Sequence, residues 1–378
     1  MKLKKLTQAL LLTSTFIGAT AMANPIIPAT QIDVPAQHIQ LTQEWDKIFP
    51  KSDKVEHHKV TFKNRYGITL VGDLYVPKGA TGKLPAIAVS GPFGAVKEQT
   101  SGIYAQTLAE RGFVTIAFDG SFTGESSGTP RNVPSPEINT EDFSAAVDYL
   151  GSLDIVNRDE IGILGVCGWG GFALNAAVSD PRIKAVAVST MYDMTRVAAN
   201  GYEIKMQANP DGSYDRAPAQ SVDVRYKMKL DMSNARWNAS QNGYADLLPA
   251  NNLDPKKDFT AETPKFIKEY ANFYRTDRGY HPRSINSNPE HSWTTTGMLP
   301  LINMPILKYA AELKAPALVV HGEIAHSRYF GEDAYNALGS ADKELYIVPG
   351  ATHTDLYDNT TNKIPFDKFE QFFKAKLQ

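Results

Sequence analysis

The segment Ile161–Phe172, read I-G-I-L-G-V-C-G-W-G-G-F, sets a thiol among glycines at a change of local pattern. The apolar run Ile161–Val166 stops at Cys167, then Gly168, Gly170 and Gly171 follow, and a small-residue helical pattern opens at Phe172. This reads as a buried strand, a very tight turn and a helix start, with the thiol at the apex. Such geometry holds a nucleophile exposed above a helix N-terminus. Cys167 is the single cysteine of 378 residues, so no internal disulfide uses it. A lone cysteine at a strand end can also be a small buried hydrophobe. The rest of the constellation favours chemistry.

The last apolar run, Glu344–Val348, leads into Gly350-Ala351-Thr352-His353-Thr354-Asp355-Leu356-Tyr357. A histidine on the loop after a final strand is placed to serve as general base. Paired with a thiol it makes chemical sense, because the thiolate is the nucleophile and a nearby imidazolium lowers the thiol pKa. Cys167 is therefore expected to be solvent-reachable and more acidic than a free thiol. Acyl transfer also needs preorganised donors for the developing oxyanion. The N–H of Gly168 supplies one, and Phe93 or Gly94, in the turn Gly91-Pro92-Phe93-Gly94, the other. Trp169, Tyr192, Tyr274, Tyr280 and Trp293, with Trp237, are candidates to line an aromatic substrate pocket.

Two motifs are set aside. Gly124-Glu125-Ser126-Ser127-Gly128 satisfies G-x-S-x-G, but Thr129-Pro130-Arg131 follows where a helix should begin. His321 and His326 flank Glu323 on a loop, a spacing that does not put two ligands on one helical face. No metal or other cofactor is expected.

Strand and helix signals alternate from about residue 55. Val60–Phe62 and Ile68–Val76 read as a hairpin; Pro85–Ser90, Phe113–Phe118, Ile161–Val166, Ile183–Val188, Ala317–His321 and Glu344–Val348 read as strands. Helical patterns cover Tyr104–Arg111, Thr140–Leu150, the stretch after Cys167, and Phe366–Lys376. The alternation implies an α/β fold with a mostly parallel, doubly wound sheet covered on both faces. It breaks between 195 and 300, a polar stretch rich in Asn, Asp, Pro and aromatics, read as a helical cap over the site. The core is then 55–194 with 301–378.

From about Val55 onward the chain resembles the α/β-hydrolases, in particular dienelactone-hydrolase-like proteins. Gly165-Val166-Cys167 with Gly170-Gly171, Asp119 with Gly124-Glu125-Ser126, and His353 in a G-x-x-H context carry the likeness. The resemblance implies the α/β-hydrolase fold and a nucleophile–acid–histidine order. Two residues separate Cys167 from the glycine pair, where the family's elbow has one, which implies a one-residue longer turn. The family's usual aspartate position after strand seven falls on Ala325. Glu323 is then the first choice to orient His353, and Asp193, after the preceding strand, the second; Glu332 and Asp333 are weaker.

The N-terminus M-K-L-K-K, the apolar stretch Leu6–Ile17 and Ala21-Met22-Ala23 have the form of a signal peptide, 1–23, cleaved after Ala23. Residues 24–54 read as a loosely packed leader. A periplasmic or secreted protein with no membrane span is expected. The formal net charge of −2 gives no reason to expect nucleic acid as a partner. The expected activity is cleavage of a carboxylic ester, thioester or lactone through Cys167, His353 and an acid. One rival is an Xaa-Pro-type peptidase, which needs a buried acidic anchor for a free amine. The other is a non-catalytic binding protein on the same fold.

Overall fold

The computed structural model describes residues 41–249, 254 and 257–377. The expected signal peptide and the start of the leader lie outside the described residues. Eight strands form one sheet: β1 (Val55–Lys63), β2 (Thr69–Pro77), β3 (Leu84–Ser90), β4 (Val114–Phe118), β5 (Val156–Val166), β6 (Ala185–Ser189), β7 (Ala317–Gly322) and β8 (Lys343–Val348). Their order is β1-β2-β4-β3-β5-β6-β7-β8. β2 pairs antiparallel with β1 and β4, and all other neighbours are parallel. The helices are α1 (Thr100–Ala109), α2 (Pro136–Gly151), α3 (Gly168–Ser179), α4 (Met194–Asn200), α5 (Val222–Ala239), α6 (Lys265–Tyr274), α7 (Met298–Asn303), α8 (Arg328–Ala337) and α9 (Phe366–Lys376).

The central strands read as unbroken apolar runs because both of their faces are buried. Ile87 and Val89 of β3 enter one core with Tyr104 and Leu108 of α1 and Phe369 and Phe373 of α9. Ala86 and Ala88 enter the other with Phe143 and Leu150 of α2 and Phe172 and Leu174 of α3. Each large apolar side chain so buried contributes roughly 1.5–3 kcal/mol. This is the mostly parallel, doubly wound sheet that the alternation implied.

Two local expectations change. α2 starts at Pro136 rather than Thr140, because Ser135 accepts the Ile138 N–H at its N-terminus and Pro136 has the fixed φ of a first helical residue. Thr140 lies inside the helix and donates to the Pro136 carbonyl. The leader is not loose over residues 41–54: Phe49 joins the core, the Ile48 N–H donates to the Glu98 carbonyl, and Lys47 Nζ lies 3.0 Å from Asp73. Between β6 and β7 the chain runs through α4 to α7 and their connecting loops. Among the described residues no helix is long and apolar enough to cross a membrane.

Candidate active site

Strand β5 ends at Val166, and Cys167 turns the chain with φ 55° and ψ −125°. A positive φ on a non-glycine residue is a strained conformation that surrounding structure must hold. Close approach of α3 to β5 and to the segment after β6 does this. A Cβ on Gly165 would lie 2.3 Å from the Trp169 carbonyl oxygen, and one on Gly170 would lie 2.5 Å from Met191 Cβ. The longer turn expected here is absent. α3 begins at Gly168, so Gly168 and Trp169 are its first turn, and the Gly170 N–H donates to the Cys167 carbonyl at 2.9 Å.

The thiol points at two backbone donors, the N–H groups of Phe93 and Gly168, and at the Tyr357 hydroxyl. Burial pushes its pKa up to about 11, and these three donors only partly oppose that. The expectation of a thiol more acidic than a free one is thereby corrected; Cys167 is 7 % exposed and lines the cavity, so it is reachable as expected. His353 is fully buried, and burial, helped by neighbouring His326 and His321, holds its pKa well below the ordinary value. The resting site therefore holds a neutral thiol and a neutral imidazole.

His353 Nε2 lies 3.0 Å from the Tyr357 hydroxyl. Nδ1 meets two hydroxyls, Thr190 Oγ1 at 2.9 Å and Ser327 Oγ. Among the described residues no carboxylate bonds to this ring. Glu323 is exposed, and its Oε2 accepts the Gly350 N–H at 2.8 Å. Asp193 caps α4, accepting from the Thr195 and Arg196 N–H groups at 2.9 and 3.0 Å. The structure thus sets Phe93 and Gly168 beside Cys167, and Tyr357 beside both Cys167 and His353; among the described residues no bond joins thiol to imidazole directly, and both candidate acids lie elsewhere. Hydroxyls can hold the ring's orientation, but they do not supply the charge that stabilises an imidazolium.

A cavity of about 420 Å³ opens onto Cys167. Tyr192, Tyr274 and Trp293 line it, as do Tyr202, Ile267 and Tyr270. Trp293 stacks on Phe93, ring centroids 4.2 Å apart. The Tyr192 hydroxyl bonds to Tyr270 and to His326 Nε2. Trp169 is not in the cavity: its ring packs against Phe118, Phe143 and Phe172 in the core, over the bare Cα of Gly120. Tyr280 and Trp237 are exposed and do not line it either. Ser126 is buried, donating to the Asp119 carbonyl and accepting the Val71 N–H, away from any elbow.

Sequence reasoning missed Tyr357, Thr190, Ser327, His326 and Tyr270. Only Tyr357 had a signal, being four residues after His353 and brought beside it by the 3-10 turn Thr354–Leu356. His326 and His353 are neighbours, yet among the described residues no group of three or more His, Cys, Asp or Glu is placed to hold a metal ion. Among the described residues no Asp or Glu lines the cavity.

Comparison with known proteins agrees with this fold. The profile of the X-Pro dipeptidyl-peptidase (S15 family) matches residues 66–355. PA2218 of Pseudomonas aeruginosa is 53 % identical over 341 residues, 90 % of this chain and 86 % of that protein. Its crystal structure superimposes with a TM-score of 0.81 at 52 % identity, covering 90 % of this chain and 99 % of that one. The thiohydrolase aneE of Aspergillus aculeatus is 32 % identical over 135 residues, 36 % of this chain and 42 % of that protein. The α/β-hydrolase GrgF from Penicillium shares the fold, with a TM-score of 0.63 at 20 % identity over 85 % of this chain and 99 % of that one. With its sheet order, its elbow and the match over residues 66–355, the chain belongs to the X-Pro dipeptidyl-peptidase (S15) family of hydrolases on the α/β-hydrolase fold.

Proposed function

We propose that this hydrolase cleaves a carboxylic ester, thioester or lactone, with Cys167 as nucleophile and His353 as base. One observation carries the reading: Cys167 sits strained at the elbow, facing the cavity, with the N–H groups of Phe93 and Gly168 near enough to its sulfur to favour the thiolate. Because thiol and imidazole rest neutral, the proton leaves as the sulfur–carbon bond forms. The Tyr357 hydroxyl takes the thiol proton while giving its own to His353 Nε2, 3.0 Å away. The tetrahedral oxyanion is held by Phe93 and Gly168. Its collapse expels the alcohol or thiol, which takes the proton from His353. Water activated by His353 then releases the acid from the acyl-cysteine.

The dipeptidyl-peptidase reading suggested by the family description needs a carboxylate for the substrate's amine, and none of the described residues lining this cavity carries one. The partial likeness to a thiohydrolase favours acyl transfer instead. Segment 195–300 acts as a lid that selects the acyl group, using Tyr274 and its neighbours on α6. Export, with cleavage after Ala23, belongs to the same proposal and rests on the N-terminal pattern.

The test is hydrolysis of p-nitrophenyl acetate, an acyl thioester and alanyl-prolyl p-nitroanilide. The Cys167→Ala variant is expected to lose about 10³-fold or more in kcat/KM on the first two. Intact-mass spectrometry should trap an acyl adduct only when Cys167 is present. Retained activity in the variant rejects the nucleophile, and a faster anilide rejects the substrate class.

A further inference from the structure

We propose that α5 docks this protein onto an anionic lipid surface. The inference does not depend on the acyl-hydrolase reading. Helix α5 carries two apolar faces. Met228 and Met232 pack on the core below, and Ala239 is buried. At 100° per residue these three fall within an arc of about 40°. Val222, Tyr226, Leu230 and Trp237 fall within a second arc of about 80°, centred some 140° away. These four are 68, 63, 44 and 77 % exposed, and no described residue covers them. Met304 and Tyr309, just beyond α7, are exposed as well. A helix held by one face, with a tryptophan and a tyrosine on the other, has more apolar surface than its own fold uses.

Charge selects the partner. Arg225, Lys229 and Arg236 form one edge of the exposed stripe, within about 40° of each other. Arg225 and Lys229, together with Lys308, line an adjoining cavity of about 540 Å³. The two carboxylates in that cavity are engaged, Asp193 as the cap of α4 and Asp333 with Arg196 at 2.8 Å. On the other edge stands Asp223, in the first turn of the helix, and beyond it Lys227 and Asp231 pair with each other at 2.9 Å, so the basic edge is the one that carries net charge toward a surface. An apolar stripe with aromatic residues and a cationic border matches a bilayer whose headgroups are anionic. Stacking the stripe on an antiparallel second copy would set the basic edge against itself.

The experiment is sedimentation of the full chain with vesicles of phosphatidylcholine alone and of phosphatidylcholine with one quarter phosphatidylglycerol. Binding is expected to the mixed vesicles and to weaken with added salt. The double variants Tyr226→Ser/Trp237→Ser and Arg225→Glu/Lys229→Glu should each weaken it at least about tenfold. Melting temperature and turnover of a soluble ester should be unchanged in both, showing that the fold is intact. No binding to the mixed vesicles, or equal binding by the variants, overturns the proposal. So does a dimer, seen by light scattering, that the Tyr226→Ser/Trp237→Ser variant dissociates.

Discussion

At the scale of single residues the site is a neutral pair held by hydroxyls. Cys167 is pushed up to about 11 by burial, above the ~8.5 of a free thiol. The rate of alkylation by iodoacetamide should therefore keep rising with pH beyond 9, while the denatured protein levels off near the free-thiol value. A plateau below pH 8 in the folded protein would mean a resting thiolate–imidazolium pair and reject this description. Cys167, Gly168, Phe93 and His353 were legible in the sequence because each lies at the end of a strong strand signal. The partners of His353 Nδ1 were not. Thr190 follows β6 and Ser327 precedes α8, 137 positions later, and only the folded sheet brings both to the ring. A search for a carboxylate passes over them, because hydroxyl residues are common and carry no spacing signal. Glu323 occupied a plausible position in the chain, but its side chain turns outward to the Gly350 N–H.

At the scale of elements, the insertion between β6 and β7 does more than cover the cavity. Asn286 donates to the Phe93 carbonyl at 2.8 Å, and Trp293 stacks on the Phe93 ring. Gly94, at φ 85°, admits Asn286 closely, since a Cβ there would lie 2.6 Å from Asn286 Oδ1. The insertion thus holds Phe93, the residue whose N–H faces Cys167, by its carbonyl and its ring. Asn286→Ala should lower kcat about tenfold on a small activated acetate with KM little changed, the mark of a contact that matters in the transition state. A rise in KM with kcat intact would confine the insertion to substrate binding. The buried strands and α9 could be read from apolar runs and periodicity, and α9 spans Phe366–Lys376 as expected. The insertion could be read only as a break in that pattern; its contacts with the core could not, because Ser284 and Asn286 bond to backbone carbonyls, which leave no pattern in the sequence.

At the scale of the whole molecule, one buried charge network joins leader, sheet and insertion. Lys97 Nζ meets Glu98 at 2.6 Å, Asp119 at 2.9 Å and Glu125 at 2.5 Å. Lys59 also holds Glu125, and Arg283 of the insertion reaches Glu98 and Asp46. Lys47 of the leader and His57 of β1 converge on Asp73. A buried ion pair is weak evidence of net stability, because desolvation offsets much of the attraction. Its effect on pH dependence is firmer. Burial raises Asp73, but the hydrogen bond with His57 and the charges of Lys97 and Lys47 outweigh it and bring the carboxyl to about 2. Burial raises Glu125 likewise, and Lys97 and Lys59 bring it to about 2. Both lie below the ~3.9 and ~4.3 of the unfolded chain. Their contribution is therefore present above pH ~4.5 and lost as pH falls toward 2. The melting temperature should drop steeply across that window, and Glu125→Gln should make the drop shallower by removing one of the two groups. An unchanged slope in the variant would show that Glu125 titrates alike in the folded and unfolded chain, and that the network does not hold it.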